Sequence, residues 1–196
     1  MAHDGQEMGT LAPVLLDNLL DLTGAAIAPL EAMLDTARDR VKTLVSADGR
    51  VSSALVEQHQ TAAHGLAWLA TYVEALRQMQ KWAEALSEQS KFGEVEALIH
   101  QIAFGEYLWQ VYGGIQMNQG EILRLQDLGL SQDDMRGLMA PAVMTLTQGG
   151  NTQAARMRLV ELMQERSAEI TVGASGLDEE LEMIREQFRR YAVEKV

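Results

Sequence analysis

The sequence predicts an all-α protein: an antiparallel helical bundle with a long central helix hairpin and a C-terminal amphipathic arm. Three observations carry that expectation. Hydrophobic residues make up 47% and aromatics only 5%, with 11 Met, 3 Pro and much Leu, Ala, Glu and Gln, a composition that favours helix over sheet. Leu55, His59, Ala62, Leu66, Leu69, Val73, Leu76, Gln80 and Ala83 step by four and three without a break, one stripe along one helix face. Leu177, Leu181, Ile184, Phe188 and Tyr191 repeat that spacing near the end of the chain.

Taken in order, residues 1–10 read as a polar, disordered tail. Leu15 to Leu22 reads as a short apolar helix with Pro13 in its first turn, and a second helix runs from Pro29 to about Ser46. Asp48-Gly49 closes it as a turn. Ser52 or Ser53 caps the long striped helix, which reaches about Leu86 and is roughly 50 Å long at about 1.5 Å per residue. The short connection 87–93 turns the chain back on itself. The next helix, 94–112, is apolar on most sides and is expected at the bundle centre, with Trp68, Trp82 and Trp109 as core or interface residues. Gly113-Gly114 stops it.

Residues 115–125 fit neither helical nor strand period. Ser131-Gln132-Asp133-Asp134 is a capping pattern opening a short helix that weakens near Pro141. Gly149-Gly150 breaks the chain again, and Asn151 caps a helix to about Ala168. Bundle residues thus span 11–171 and a linker 172–176, where Ser175 to Asp178 is a further capping signal. The terminal stripe is still running at Val196, so a truncated chain is expected.

Charge and residue inventory narrow the chemistry. A net charge of −12, from 28 acidic and 16 basic residues, opposes nucleic acid and anionic membrane surfaces as partners. No cysteine occurs, which removes disulfides, thiolate metal sites and Cys nucleophiles. The N-terminus has no basic signal-peptide region, and the default location is the cytoplasm. Glu96 and His100 are spaced i,i+4, read here as an ordinary hydrogen-bonded pair. His59 and His64 diverge around the helix and cannot share a metal. No catalytic, cofactor or metal residue is assigned.

The stretch 64–77 (His64-Gly65-Leu66-Ala67-Trp68 onward), with Phe104-Gly105-Glu106-Tyr107 and Gly113 to Ile122, resembles the N-terminal extension of bacterial methylsuccinyl-CoA dehydrogenases. The last helix, Leu177 to Val196, resembles the first helix of the flavin-dependent acyl-CoA dehydrogenase family. The resemblance implies a parent enzyme that uses FAD and a glutamate base to oxidise methylsuccinyl-CoA to mesaconyl-CoA. Its flavin-binding motifs and catalytic glutamate lie beyond the first dehydrogenase helix, so none falls within this sequence, and this segment alone is expected to be inactive. Residues 177–196 then open the dehydrogenase helical domain.

Two surfaces are candidates for partner contact. One is the loop Gln116, Met117, Asn118, Gln119 and Glu121, dense in hydrogen-bonding groups. The other is the terminal stripe Leu177, Leu181, Ile184, Phe188 and Tyr191, expected to seek the rest of a longer chain or a second copy in a homo-oligomer. The alternative reading is a free-standing helical interaction module, with the Leu55–Ala83 stripe as its groove.

Overall fold

The computed structural model describes residues 13–165 and 174–195. The expected N-terminal tail, the start of the linker and the end of the helix expected to reach Ala168 lie outside them. The architecture is all-α: seven α-helices, two short 3-10 turns and two ribbons of two-residue strands among the described residues.

Helix α1 spans Leu19–Leu44 and contains Pro29, which corrects the expectation of two helices. Thr23, Ala26, Leu30, Met33, Ala37 and Val41 are buried along one face, and packing that face outweighs the one backbone hydrogen bond proline removes. The chain also builds around the ring, because Gly137 sits where a Cβ would lie 3.2 Å from the Cβ of Pro29. Residues 13–18 are not helical, which corrects the expectation of a helix beginning at Leu15 and Leu16. Buried Gln101 holds them instead, accepting from the Leu16 N–H at 2.7 Å and donating to the Val14 carbonyl at 3.1 Å.

Asp48 and Gly49 carry φ of 50° and 75° between strands β1 (Ser46–Ala47) and β2 (Arg50–Val51). Two positive-φ residues in a two-residue hairpin are the type I′ pattern. A Cβ on Gly49 would meet nothing within 4 Å, so its only penalty is conformational. Gly49→Ala is expected to cost about 1 kcal/mol in a urea melt with an unchanged slope.

The long striped helix is interrupted. Helices α2 (Ser53–Gln58) and α3 (Gln60–Glu88) meet at His59, whose φ and ψ are −111° and 31°. No residue of α2 is buried, whereas α3 is buried from Ala62 onward; the break falls where the stripe enters the core. Ser52 is the cap, accepting from the Leu55 N–H at 3.5 Å. Helix α4 (Glu94–Gly113) returns antiparallel, placing Tyr72 beside Gln110 and Trp82 beside His100.

Helix α4 is the bundle centre, with Val95, Leu98, Phe104, Leu108 and Val111 at 0–1% exposure. Trp109 departs from this, being 55% exposed and stacked on Tyr112. Glu96 and His100 do not pair. The Glu96 carboxylate caps its own helix at the Gly93 N–H, 3.1 Å away, while His100 Nε2 lies 2.9 Å from the Thr23 hydroxyl. Thr23 in turn donates to Gln80 Oε1 at 2.6 Å, so α1, α3 and α4 share one buried polar network.

Residues 115–123 form a second ribbon, β3 (Ile115–Gln116) against β4 (Ile122–Leu123). The Ser131–Asp134 capping box forms: Asp134 accepts from the Ser131 N–H at 2.9 Å and its own N–H donates to Ser131 Oγ at 3.2 Å. Pro141 starts helix α5 (Pro141–Gly149) rather than weakening one, because a first-turn proline forfeits no helical hydrogen bond. Thr152, not Asn151, caps α6 (Gln153–Glu165), since the Ala155 N–H donates to its hydroxyl at 3.1 Å. Asn151 is drawn away to Glu106.

Candidate functional site

The loop between β3 and β4 is organised by its own side chains. Asn118 Oδ1 accepts from the Gly120 and Glu121 N–H groups at 2.8 and 3.0 Å, and its amide donates to the Glu121 carboxylate. The Met117 N–H donates to the Glu121 carbonyl at 2.9 Å, and Arg124 bonds the Gly113 carbonyl at 2.7 Å from below. Much of the hydrogen-bonding capacity expected to face a partner therefore shapes the loop. Gln116 and Gln119 remain exposed, Met117 is half-buried, and Ile122 beside them is 52% exposed.

Helix α7 (Glu179–Lys195) is the other candidate surface. Asp178 caps it, accepting from the Leu181 N–H at 2.8 Å. Glu186 pairs along it with Arg189 at 3.1 Å and Arg190 at 3.5 Å. None of its described residues is buried; Phe188 is 72% and Tyr191 65% exposed, and Leu177, Leu181 and Ile184 are exposed as well. A helix of 17 residues is marginal in water unless its apolar face is covered.

The arm leaves the bundle at a fixed point. Ala174 donates its N–H to Glu96 Oε1 at 2.9 Å and accepts from Trp82 Nε1 at 3.0 Å. Gly176, at φ 73°, lies so close to Trp82 that a Cβ would come within 2.8 Å of the indole. Glu96 thus serves two backbone donors at once, one at the start of α4 and one in the connection to α7.

A third feature escaped the sequence reading. Helices α3, α4 and α6 leave between them a cleft of about 760 Å³. Ala75, Met79, Ile99, Ile102, Ala103 and Leu159 line its apolar part, and Trp82 stands in its wall. Its polar rim is a chain of hydrogen bonds: Asn151 donates to Glu106 at 2.6 Å, and Arg156 donates to the Asn151 side chain at 2.7 Å. Gln110 donates to the other Glu106 oxygen at 2.6 Å and accepts from Tyr72. Burial, then Tyr107 and Glu106, push the Tyr72 phenol above its ordinary pKa. Ile99 and Ile102 gave the one available signal, since α4 is apolar on most sides; three helices from distant stretches make the cleft itself.

Among the described residues no group of three or more His, Cys, Asp or Glu side chains could hold a metal ion. His64 accepts from the Trp68 indole at 3.0 Å. No helix among them is long and apolar enough to cross a membrane.

The geometry therefore defines a helical domain with exposed apolar surfaces, and similarity to known proteins agrees with the resemblance to acyl-CoA dehydrogenases. The chain is 56% identical over 182 residues to the (2S)-methylsuccinyl-CoA dehydrogenase of Cereibacter sphaeroides, an alignment covering 93% of this chain and 32% of that protein. The chain thus spans about a third of the length of the curated relative it matches. No family model matches it.

Proposed function

We propose that this chain is the non-catalytic N-terminal helical domain of an FAD-dependent acyl-CoA dehydrogenase. The parent reaction would be oxidation of methylsuccinyl-CoA to mesaconyl-CoA in the cytoplasm. The domain docks on the catalytic domains of the same polypeptide or supports its assembly into a homo-oligomer. Flavin and substrate chemistry belong to the remainder of that enzyme, and residues 177–195 begin its helical domain. The observation that carries this reading is the match itself: nearly the whole chain aligns at 56% identity with only 32% of a dehydrogenase. The exposed stripe of α7 supports it, because such a face needs cover from another structure.

Leu181→Glu with Phe188→Glu tests the reading. In the full-length enzyme the double variant is expected to lose assembly and turnover, read by light scattering and a dehydrogenase assay. In the isolated 196-residue chain its stability should change by less than about 0.5 kcal/mol, as for ordinary exposed positions. A full-length double variant that assembles and turns over normally would overturn the reading. For the loop, Gln116→Ala with Glu121→Ala should reduce turnover or assembly of the full enzyme without unfolding the segment, by circular dichroism; unchanged values would remove the loop from the interface.

A further inference from the structure

We infer that residues 174–176 form a rigid elbow fixing the direction in which α7 leaves the bundle, so that its apolar stripe is held in one orientation before anything covers it. In sequence this stretch reads as the end of a linker. The bundle holds its backbone instead. Glu96 is a 4% exposed carboxylate with a backbone donor on each oxygen, Gly93 at 3.1 Å and Ala174 at 2.9 Å. Releasing Ala174 would strip a charge-assisted hydrogen bond from a group with little access to water, which is costly. The Ala174 carbonyl accepts from the Trp82 indole N–H at 3.0 Å. That indole packs against Phe92 and His100, with ring centroids 6.5 Å from each. The donor and the acceptor of one residue are thus both fixed, one by α4 and the other by α3.

From that anchor the hydrogen bonds continue into α7. Gly176 combines φ 73° with a Cβ position only 2.8 Å from the Trp82 ring, so conformation and space both call for glycine. Ser175 Oγ accepts from the Leu177 N–H at 3.3 Å and donates to Glu182 Oε2 at 2.8 Å. Asp178 then caps the helix at Leu181. Lys91, from the turn between α3 and α4, lines one hollow of about 270 Å³ with residues 174–177, Glu182 and Arg185. The first turns of α7 therefore lie beside that end of the bundle. An arm ordered in advance loses less conformational freedom when its stripe is covered, which strengthens docking without adding a contact. The elbow lies within this chain, whatever covers the stripe in a longer protein.

Distances between spin labels test the inference, helped by a sequence without cysteine. Gln187→Cys, exposed and not one of the stripe's apolar positions, is labelled together with Ala67→Cys on α3 or Ala32→Cys on α1, both also exposed. Each doubly labelled 196-residue chain is diluted with unlabelled chain, which suppresses distances between copies. Pulsed double electron resonance should give one narrow distance peak for each pair. Trp82→Phe keeps a ring but loses the indole N–H, and Gly176→Ala brings a Cβ against that indole. Each should displace the peak or at least roughly double its width, with helix content by circular dichroism unchanged. Gly176 lies outside the bundle helices, so its variant keeps the test open if Trp82→Phe weakens the core. A broad distribution in the chain with Trp82 and Gly176 intact would overturn the inference. So would peaks unchanged in position and width in both variants. The full-length enzyme takes no part in these measurements, so their outcome is independent of the Leu181→Glu, Phe188→Glu experiment.

Discussion

Alanine at position 105 is expected to destabilise the bundle by about 2 kcal/mol, although alanine is the better helix former. Gly105 lies mid-way along α4, where a Cβ would fall 2.5 Å from the Asn151 nitrogen and 2.8 and 2.9 Å from the carbonyl carbon and Cα of Gly150. Every one of those atoms is backbone. Gly150 is constrained from the other side, its Cβ position being 2.6 Å from the Leu146 carbonyl oxygen and 2.8 Å from the Gly105 Cα. Gln101 ties the same crossing by donating to the Gly150 carbonyl at 3.1 Å. Separating the two segments would break that bond and open the contact of α4 with α5. Overpacking a site that cannot relax costs up to about 3 kcal/mol, and the helix propensity gained returns at most about 1 kcal/mol. Gly113→Ala is the control, with nothing within 4 Å of its Cβ; it should be neutral or stabilising. Urea midpoints that moved alike in both variants would show that the crossing tolerates a methyl group.

What could be read beforehand was whatever is periodic and local. The faces of α3 and α7 follow from spacing alone, because one helix displays its own stripe whatever surrounds it. Asp48-Gly49, Gly113-Gly114 and the Ser131–Asp134 box were legible for the same reason: turn and cap chemistry acts over two to four residues. Pro29 misled because its local preference was overruled by a face supplied from elsewhere. Trp109 could be read only as core or interface, because an apolar residue on an apolar helix carries no mark of which side stays open; its exposure removes the core reading. Gln80, His100 and Gln101 were harder still. Their partners lie 57, 77 and 85 residues away along the chain, and no spacing rule connects them. The candidate surfaces divide in the same way. The α7 stripe could be proposed from sequence, whereas the α3–α4–α6 cleft exists only once three helices meet.

The interior polar network yields the other large effect. His100 is fully buried, and the rings of Phe104, Phe92 and Trp82 lie 4.7, 6.0 and 6.5 Å from its own. The Thr23 hydroxyl has its one proton directed at the Leu19 carbonyl and Gln80 Oε1, 2.9 and 2.6 Å away, so toward His100 it accepts. Nε2 therefore carries the imidazole hydrogen, and Nδ1 is left bare with no hydrogen-bond partner. Protonating Nδ1 would place a charge among aromatic rings, and burial accordingly lowers the His100 pKa from 6.5 to about 4. The sign follows directly. Below pH 6.5 the unfolded chain takes up the proton and the folded one does not, so stability is full above that pH and falls as pH drops toward 4. That difference is worth about 3 kcal/mol. Because the chain's 28 acidic residues also gain protons as pH falls, the comparison must be with His100→Gln, whose amide can donate to Thr23 without titrating. Between pH 7 and pH 4 the native protein should lose about 3 kcal/mol more than this variant in urea melts. Parallel pH profiles would mean that the buried ring is protonated in the folded bundle, and that a partner for Nδ1 is supplied when the charge arrives.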